Sequence, residues 1–419
     1  MYNETASIRP LFYIIIMNLL GAVLISIQYG GVNVEAIVLT GGICLVSIIS
    51  YTIVYAAEMG DPYLYLIISV LGSVGCIMQT RIKSEYGIRQ LKWFLVGTAC
   101  YFVVMLVYRL MSKWLNRLVP LYFCLSVAMF VATRIFGRES HGAKNWIDIG
   151  GVSVQPSELI RILFVLSMAA IFTAPLPEKY SEKLHVSPKM LRLFTASFIT
   201  VVNAGFLLLQ REWGITLLFF ATYFFFLYVY GASRFYLLLN GIAAVAVGAI
   251  GATRVSHIKV RVDTWLDPFA DASGKGYQIT QSLFAIGEGG MAGRGIGSGS
   301  VYFIPEVHSD FIFSAICEEM GVVGGLAILM LYFVLVYRGF KIALSCTNSF
   351  NKAAAFGLSF ILGLQTFIII GGVIKLIPLT GITLPFVSYG GSSMLTTFAV
   401  CGILQAISAV KEEITDEIQ

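Results

Sequence analysis

Residues 303–325 read FIPEVHSDFIFSAICEEMGVVGG, and the apolar stretch that begins after Asp310 continues to about Tyr337. An apolar run of that length with few charges reads as a membrane-crossing helix. Asp310 stands at its mouth. A carboxylate at the edge of hydrocarbon is costly unless it faces water, a partner or a substrate, so Asp310 is a candidate functional residue. The same position suits a helix N-cap, where Ser309 or Asp310 would accept hydrogen bonds from first-turn amides. The two roles can coexist.

The rest of the chain has the same character. Of 419 residues, 58% are hydrophobic and 12% charged, too apolar for a soluble protein of this size. The apolar runs are continuous rather than alternating, which argues against a β-barrel and for an all-α polytopic membrane protein. The first run, Leu11 to about Ile27, lacks a small-residue cleavage site and is followed by another span, so no cleavable leader is expected. The seven cysteines lie mostly inside apolar runs and form no CxxC pair, so neither a disulfide framework nor a zinc site is indicated. A net charge of +5 fits contact with anionic membrane lipids and gives no reason to expect nucleic acid.

About twelve spans are expected, at approximately 11–28, 34–57, 63–80, 91–110, 117–136, 158–174, 191–209, 213–231, 234–252, 310–337, 353–376 and 386–410. An even count puts both termini on one side. Basic loops with Arg109, Lys113 and Arg117, with Lys179, Lys183, Lys189 and Arg192, and with Arg338, Lys341 and Lys352 place that side in the cytoplasm, along with Glu58 and Asp61. Arg81, Lys83 and Arg89 break the rule on the opposite side. Two outer loops follow, Gly137–Ser157 and a long glycine-rich one from about Arg254 to Ser309, which leads into Asp310. A loop that long is functional or disordered. Its stretches Val262–Phe269 and Tyr277–Ile286 are apolar enough to pack on the membrane surface. No internal repeat or separate soluble domain is visible.

Several motifs carry polar chemistry. Gly381–Leu395, GITLPFVSYGGSSML, interrupts an apolar region, and irregular backbone at membrane depth survives only where protein buries it or a wet cavity meets it. Ser388, Tyr389, Ser392 and Ser393 would then offer hydroxyls; a re-entrant turn with packing glycines is the plainer reading. GAKNWIDIGG holds Lys144, Trp146 and Asp148, with Trp146 equally suited to anchoring at the interface. Gln155-Pro156-Ser157-Glu158 reads as a helix start, and Glu158 can pair with Arg161 three residues on. Gly287–Gly299, GEGGMAGRGIGSG, lacks the GK[ST] of a nucleotide loop and reads better as a flexible approach to a lipid headgroup. Three histidines, His141, His257 and His308, fall in the outer loops. Glu306, His308 and Asp310 alternate, so an extended segment would point them one way, as a divalent-cation site or as a simple hydrogen-bonded pair.

Taken together, GAKNWIDIGGVSVQPSELIRI, LLLQREWGIT, GYQITQSLFAIGEGG, GRGIGSG, IPEVHSDFIFSAICEEMGVVGG and QTFIIIGGVIKLIPLTGITLPFVSYGGSSM resemble the SEDS family (shape, elongation, division and sporulation; RodA-, FtsW- and SpoVE-like), in the family's order from about residue 63 onward. The resemblance implies a fold core of about ten spans, so residues 1–57 would be an extra N-terminal hairpin ahead of a transmembrane glycosyltransferase domain, 58–419. It implies a peptidoglycan glycosyltransferase of the bacterial cytoplasmic membrane that polymerises lipid II at the outer face, beside a class B penicillin-binding protein supplying transpeptidation. The family's aspartate motif falls on Asp310, which becomes the catalytic candidate. Departures from the pattern are Asn145, where the family often has Arg, Glu212, where it has Asp, and Ile369, where it has Asn.

In that reading Asp310 takes the proton of an acceptor sugar hydroxyl. The departing pyrophosphate needs positive charge from Lys144, Arg261 or Arg294, or from a divalent cation such as Mg or Mn. Trp146, Gln155, Glu158, His308, Ser388, Tyr389 and Ser392 complete the candidate substrate contacts. Glu318 lies roughly 80° around the helix from Asp310 and about 12 Å deeper, a better companion in the cavity than Glu319. Two alternatives stand beside the enzyme: a lipid II flippase, which broken helices and membrane carboxylates also suit, and a non-catalytic scaffold that activates a penicillin-binding protein.

Overall fold

In the computed structural model the described residues are 9–28, 30–140, 143–175 and 187–410. His141, Lys179, Lys183 and both termini lie outside them. Fourteen α-helices are described: α1 (Arg9–Gln28), α2 (Val34–Ala56), α3 (Pro62–Ile82), α4 (Ser84–Met111), α5 (Val119–Phe136), α6 (Pro156–Thr173), α7 (Pro188–Leu209), α8 (Trp213–Val229), α9 (Arg234–Arg254), α10 (Ser256–Leu266), α11 (Tyr277–Gly289), α12 (Ile312–Ser345), α13 (Ser349–Val373) and α14 (Gly391–Ser408). Eleven are long and apolar enough to cross a membrane, and α8 is equally apolar over 17 residues. Together they account for the twelve expected spans. The loop after α5 folds instead into a small antiparallel sheet, β1 (Arg138–Ser140), β2 (Ala143–Ile149) and β3 (Val152–Val154), in that order. The long loop before Asp310 is not disordered, because α10 and α11 form within it.

Local sequence sets the helix starts. Asp61 accepts from the Tyr63 amide at 3.0 Å, with Pro62 filling the first turn of α3. Asn33 and Asn348 cap α2 and α13 in the same way. Within the spans, Ser69, Thr222, Ser359 and other hydroxyls return their hydrogen to the carbonyl four residues back, so small polar side chains are satisfied inside apolar surroundings. Helices α3, α6, α13 and α14 are mostly buried, whereas α9 is almost entirely exposed at the periphery.

Two buried ion pairs lock α3 against α12. Arg81 Nε meets Glu319 Oε1 at 2.8 Å near one end. Asp61 meets Arg338 Nε and Nη2 at 2.5 and 2.8 Å near the other. The helices are therefore antiparallel, and each spans roughly 30 Å between its two charges at ~1.5 Å per residue, about the hydrocarbon thickness of a bilayer. Arg81 is thus a buried residue of α3 rather than part of a basic loop, which explains why it violated the positive-inside pattern.

Helix α12 is broken at Gly321, whose φ of 70° and ψ of −177° are not helical. The break frees the Glu318 and Glu319 carbonyls and the Val322 and Val323 amides. The glycine-rich run takes all four: Arg294 N and Gly295 N donate to the two carbonyls at 3.0 Å each, and Gly290 O and Met291 O accept from the two amides at 2.9 and 3.3 Å. This run is therefore a structural insert in the helix, and the expectation of a flexible headgroup loop is corrected. Glycine is required at Gly321 and Gly293, since both have positive φ and a Cβ on either would collide with the opposing backbone.

The N-terminal hairpin packs along α3. Asn18 Nδ2 donates to Ser73 Oγ at 2.9 Å, and Gly21 lies against Ile77. Ile25, Ala36 and Ile77 cluster with Ile296 of the glycine-rich insert, and Gln28 lies against Gly297.

Gly321→Ala is expected to lower stability by about 1–3 kcal/mol, the cost of a strained backbone position. Gly205→Ala on α7, where a Cβ meets nothing within 4 Å, is the control. Thermal unfolding in detergent reads the difference; equal midpoints for the two variants would contradict the insert's role.

Candidate functional site

Asp310 lies in a turn rather than an extended strand. Glu306 has a left-handed φ of 52°, and its carbonyl accepts from the Ser309 and Asp310 amides, both at 3.1 Å. The alternation that would have aligned Glu306, His308 and Asp310 is lost, and Glu306 reaches His308 at 3.8 Å. Among the described residues no group of three His, Cys, Asp or Glu side chains gathers as metal ligands. Phe311, not Ser309 or Asp310, occupies the N-cap of α12, with no side-chain capping bond.

Three elements hold the turn. Gln79 Nε2 of α3 donates to His308 O at 2.7 Å and to Val387 O at 3.3 Å. Tyr389 N donates to the same His308 carbonyl at 2.8 Å. Ser388 Oγ donates to Ser309 O at 2.5 Å and accepts from Leu384 N. Ser388 and Tyr389 are thus brought to the Asp310 turn by their hold on the Ser309 and His308 carbonyls. Gln90 of α4 steadies the same loop through Phe386 O and Ser388 O, and Tyr332 of α12 donates to Pro385 O.

Arg261 arrives from α10. Its Nη1 donates to Thr380 O at 2.7 Å. Gly381 is the meeting point: a Cβ there would stand 3.2 Å from Arg261 Nη2 and 3.4 Å from Asp310 Oδ2. Glycine leaves that space open, and its φ of 71° favours glycine as well. Burial pushes the Arg261 guanidinium below its ordinary value, and the Asp310 carboxylate pushes it back up. Trp265 Nε1, donating to Lys375 O at 3.2 Å, fixes α10 on the same loop.

The other two candidate cations are engaged elsewhere. Lys144 Nζ donates to Arg134 O at 2.8 Å and Ile135 O at 3.5 Å, closing the C-terminal end of α5. Arg294 pairs with Glu288 and stands 4.0 Å from Glu318 Oε1. Glu318 also accepts from Ser300 N, so it serves the glycine-rich insert, as Glu319 does through Arg81. Glu318 is not the companion of Asp310 that helical geometry proposed; the insert claims both glutamates.

A second polar group lies on the far side of Thr380, whose side chain packs on Gly214. Gln155 Nε2 donates to Glu212 Oε1 at 2.7 Å. Burial raises the Glu212 carboxyl above its ordinary range, with the hydrogen bond from Gln155 working against the shift. Glu158 pairs with Arg161 at 2.9 Å, as their spacing allowed, and accepts from Thr396 of α14 at 3.3 Å. Arg161 continues the network to Gln365 of α13. Trp146 is half-buried on β2 opposite Arg138, and Ser392 is buried in the first turn of α14. Ile369 is buried in the core of α13.

Gln79, Gln90 and Tyr86 were not singled out from sequence, and Arg89 was noted only as a loop cation. A polar cluster at a helix end, QTRIKSEYGIRQ at 79–90, was the available signal.

Residues 62–413 match the family model of the FtsW, RodA and SpoVE proteins, described as a cell cycle protein. The chain is 36% identical over 374 residues to the peptidoglycan glycosyltransferase RodA of Mycobacterium tuberculosis, covering 84% of this chain and 78% of that one. It is 31% identical over 368 residues to stage V sporulation protein E of Bacillus subtilis, covering 83% and 96%. Among solved structures, a chain of a peptidoglycan synthase complex, described as coordinating polymerization and crosslinking, aligns with a TM-score of 0.67 at 25% identity, covering 84% and 99%. The rod shape determining protein RodA of Thermus thermophilus shares the fold, with a TM-score of 0.57 at 24% identity over 83% of this chain and 96% of that one.

Burial lowers the His308 pKa from its ordinary value, and the Glu306 carboxylate opposes that shift. His308 is therefore expected to titrate below about 6.5, and Glu306→Gln to lower it further. The sign for stability follows: the penalty is absent above 6.5 and grows as pH falls towards the folded-state value, because the unfolded chain binds the proton more readily. Histidine NMR titration, with His308→Gln to assign the signal, checks both; an upward shift in Glu306→Gln would contradict the electrostatics.

Proposed function

This chain belongs to the FtsW/RodA/SpoVE family, and we propose that it is a multi-pass peptidoglycan glycosyltransferase that polymerises lipid II at the outer face of the bacterial cytoplasmic membrane, with both termini in the cytoplasm. The observation that carries the mechanism is the meeting of the Asp310 carboxylate and the Arg261 guanidinium over Gly381. A sugar hydroxyl is a weak nucleophile at neutral pH. A carboxylate within hydrogen-bond reach accepts its proton as the new glycosidic bond forms, which contributes about 10²–10⁴-fold. The polyprenyl pyrophosphate leaves with the electron pair of the broken bond. A fixed guanidinium in a partly water-excluded site offsets that developing charge. One residue pair thus supplies a base and a cation on a loop tied down by Gln79, Gln90, Ser388 and Tyr332.

The Glu158–Arg161 and Gln155–Glu212 network supports the same loop from behind Thr380. Lys144 and Arg294, given other partners by the fold, act as structural residues. A class B penicillin-binding protein is the proposed partner; similarity to a chain of a synthase complex supports it. Residues 1–57 precede the family match and form an added hairpin outside the catalytic pair.

Purified full-length protein given lipid II is the test. Polymer supports the enzyme; lipid II movement without polymer would mean a flippase, and neither would mean a scaffold. Asp310→Asn is expected to lower polymerisation by at least about 10²-fold with unchanged membrane insertion. Arg261→Gln is expected to lose about 10²–10³-fold, whereas Lys144→Gln and Arg294→Gln lose far less. Wild-type polymer from Asp310→Asn would end the general-base assignment, and equal losses among the three cation variants would end that of Arg261.

A further inference from the structure

A cluster of rings lies beside Asp310 that neither the base nor the cation uses. Tyr86, from the first turn of α4, stacks on His308 with centroids 4.7 Å apart and planes 17° apart. Tyr389 closes the group at 5.2 Å from Tyr86 and 5.5 Å from His308. Arg89, one turn along α4, donates to the Tyr389 hydroxyl at 3.3 Å, and Lys83 Nζ stands 5.9 Å from the Tyr86 ring centre. All three rings are only half-buried, and both cations are exposed. Core aromatics elsewhere in the bundle, such as Phe94 and Phe398, are fully buried and have no polar rim.

We propose that Tyr86, His308 and Tyr389, rimmed by Arg89, form the rest for the acceptor saccharide. The inference builds on the glycosyltransferase reading and adds the place of its second substrate. A pyranose ring presents an apolar face of C–H bonds and an edge of hydroxyls. Half-exposed rings with polar tips match the face, since Tyr and His combine an apolar body with a hydrogen-bonding end. The Arg89 guanidinium, a planar fork of N–H donors, matches the edge. His308 is two residues from Asp310 on one tight turn, so a sugar resting on the rings has its hydroxyl next to the carboxylate that must deprotonate it. Arg261 approaches Asp310 by a different route, from α10 over Gly381. The neutral acceptor sugar and the anionic leaving group are thereby given separate walls of one site.

The alternative is that the rings only brace the turn. The two roles separate kinetically. Purified full-length protein is supplied with labelled lipid II at a fixed concentration and an unlabelled lipid-linked glycan tetrasaccharide as acceptor, whose concentration is varied. Tyr86→Ala is expected to raise the apparent KM for the tetrasaccharide about tenfold, with a smaller change in kcat, a difference of about 1.4 kcal/mol. Tyr86→Phe, which keeps the ring, recovers most of that loss. Arg89→Gln, at an exposed position where folding is not at stake, raises the same KM by several-fold. An unchanged KM in both Tyr86→Ala and Arg89→Gln overturns the proposal. So does a fall in kcat alone with a lower melting point, the signature of a bracing role. Wild-type protein that makes no polymer would instead defeat the glycosyltransferase reading itself, a result visible before any variant is made.

Discussion

The two buried pairs between α3 and α12, Arg81 with Glu319 and Asp61 with Arg338, are what the end of the bundle that carries Asp310 depends on. A charge left alone in such a place costs several kcal/mol, so removing one partner is far worse than never having had the pair. Their worth to the protein is geometric. With charges matched at both ends, α3 and α12 have one compatible register. A slip of one turn would strand four ions at once. Gln79, two residues before Arg81, is then held where it can bind the His308 carbonyl. The position of Asp310 thus traces back to the seating of α3 against α12.

The break at Gly321 follows the same logic. A continuous α12 would satisfy its own backbone but leave the Glu318 and Glu319 side chains without the loop that faces them. Breaking the helix exposes four backbone groups at membrane depth, a configuration tolerated only when protein supplies the partners. Residues 290–295 supply them with backbone alone, which is why the run is built of glycines. Arg81 also donates to Gly297 O and Gly299 O, so the register lock and the repaired break are one connected structure.

The architecture was largely legible from hydropathy, because spans are long and bilayers impose their length. Asp310 was legible for the opposite reason, as a charge where none is free of cost. Glu158 with Arg161 could be read from a local spacing of three residues. What escaped was whatever depended on distant pairing. Arg81 looked like a loop cation until Glu319, 238 residues away, was placed against it. Lys144, Arg261 and Arg294 were indistinguishable by sequence; only the tertiary structure ties Lys144 to the end of α5 and Arg294 to Glu288, and leads Arg261 to Asp310. The glycine-rich run was misread because its function is to accept and donate through backbone groups, and composition shows only that such a segment can bend.

The long separation of Arg81 from Glu319 also sets conditions on how the protein is made. Helix α3 enters the bilayer early in synthesis with its guanidinium and no carboxylate to meet it. Until α12 emerges, that charge must remain near the headgroups or keep water beside it. The glycine-rich insert is synthesised immediately before α12, so the break can be repaired locally as soon as the helix forms. A chain that stops before residue 312 therefore carries the Arg81 guanidinium without the Glu319 carboxylate that pairs with it in the folded bundle.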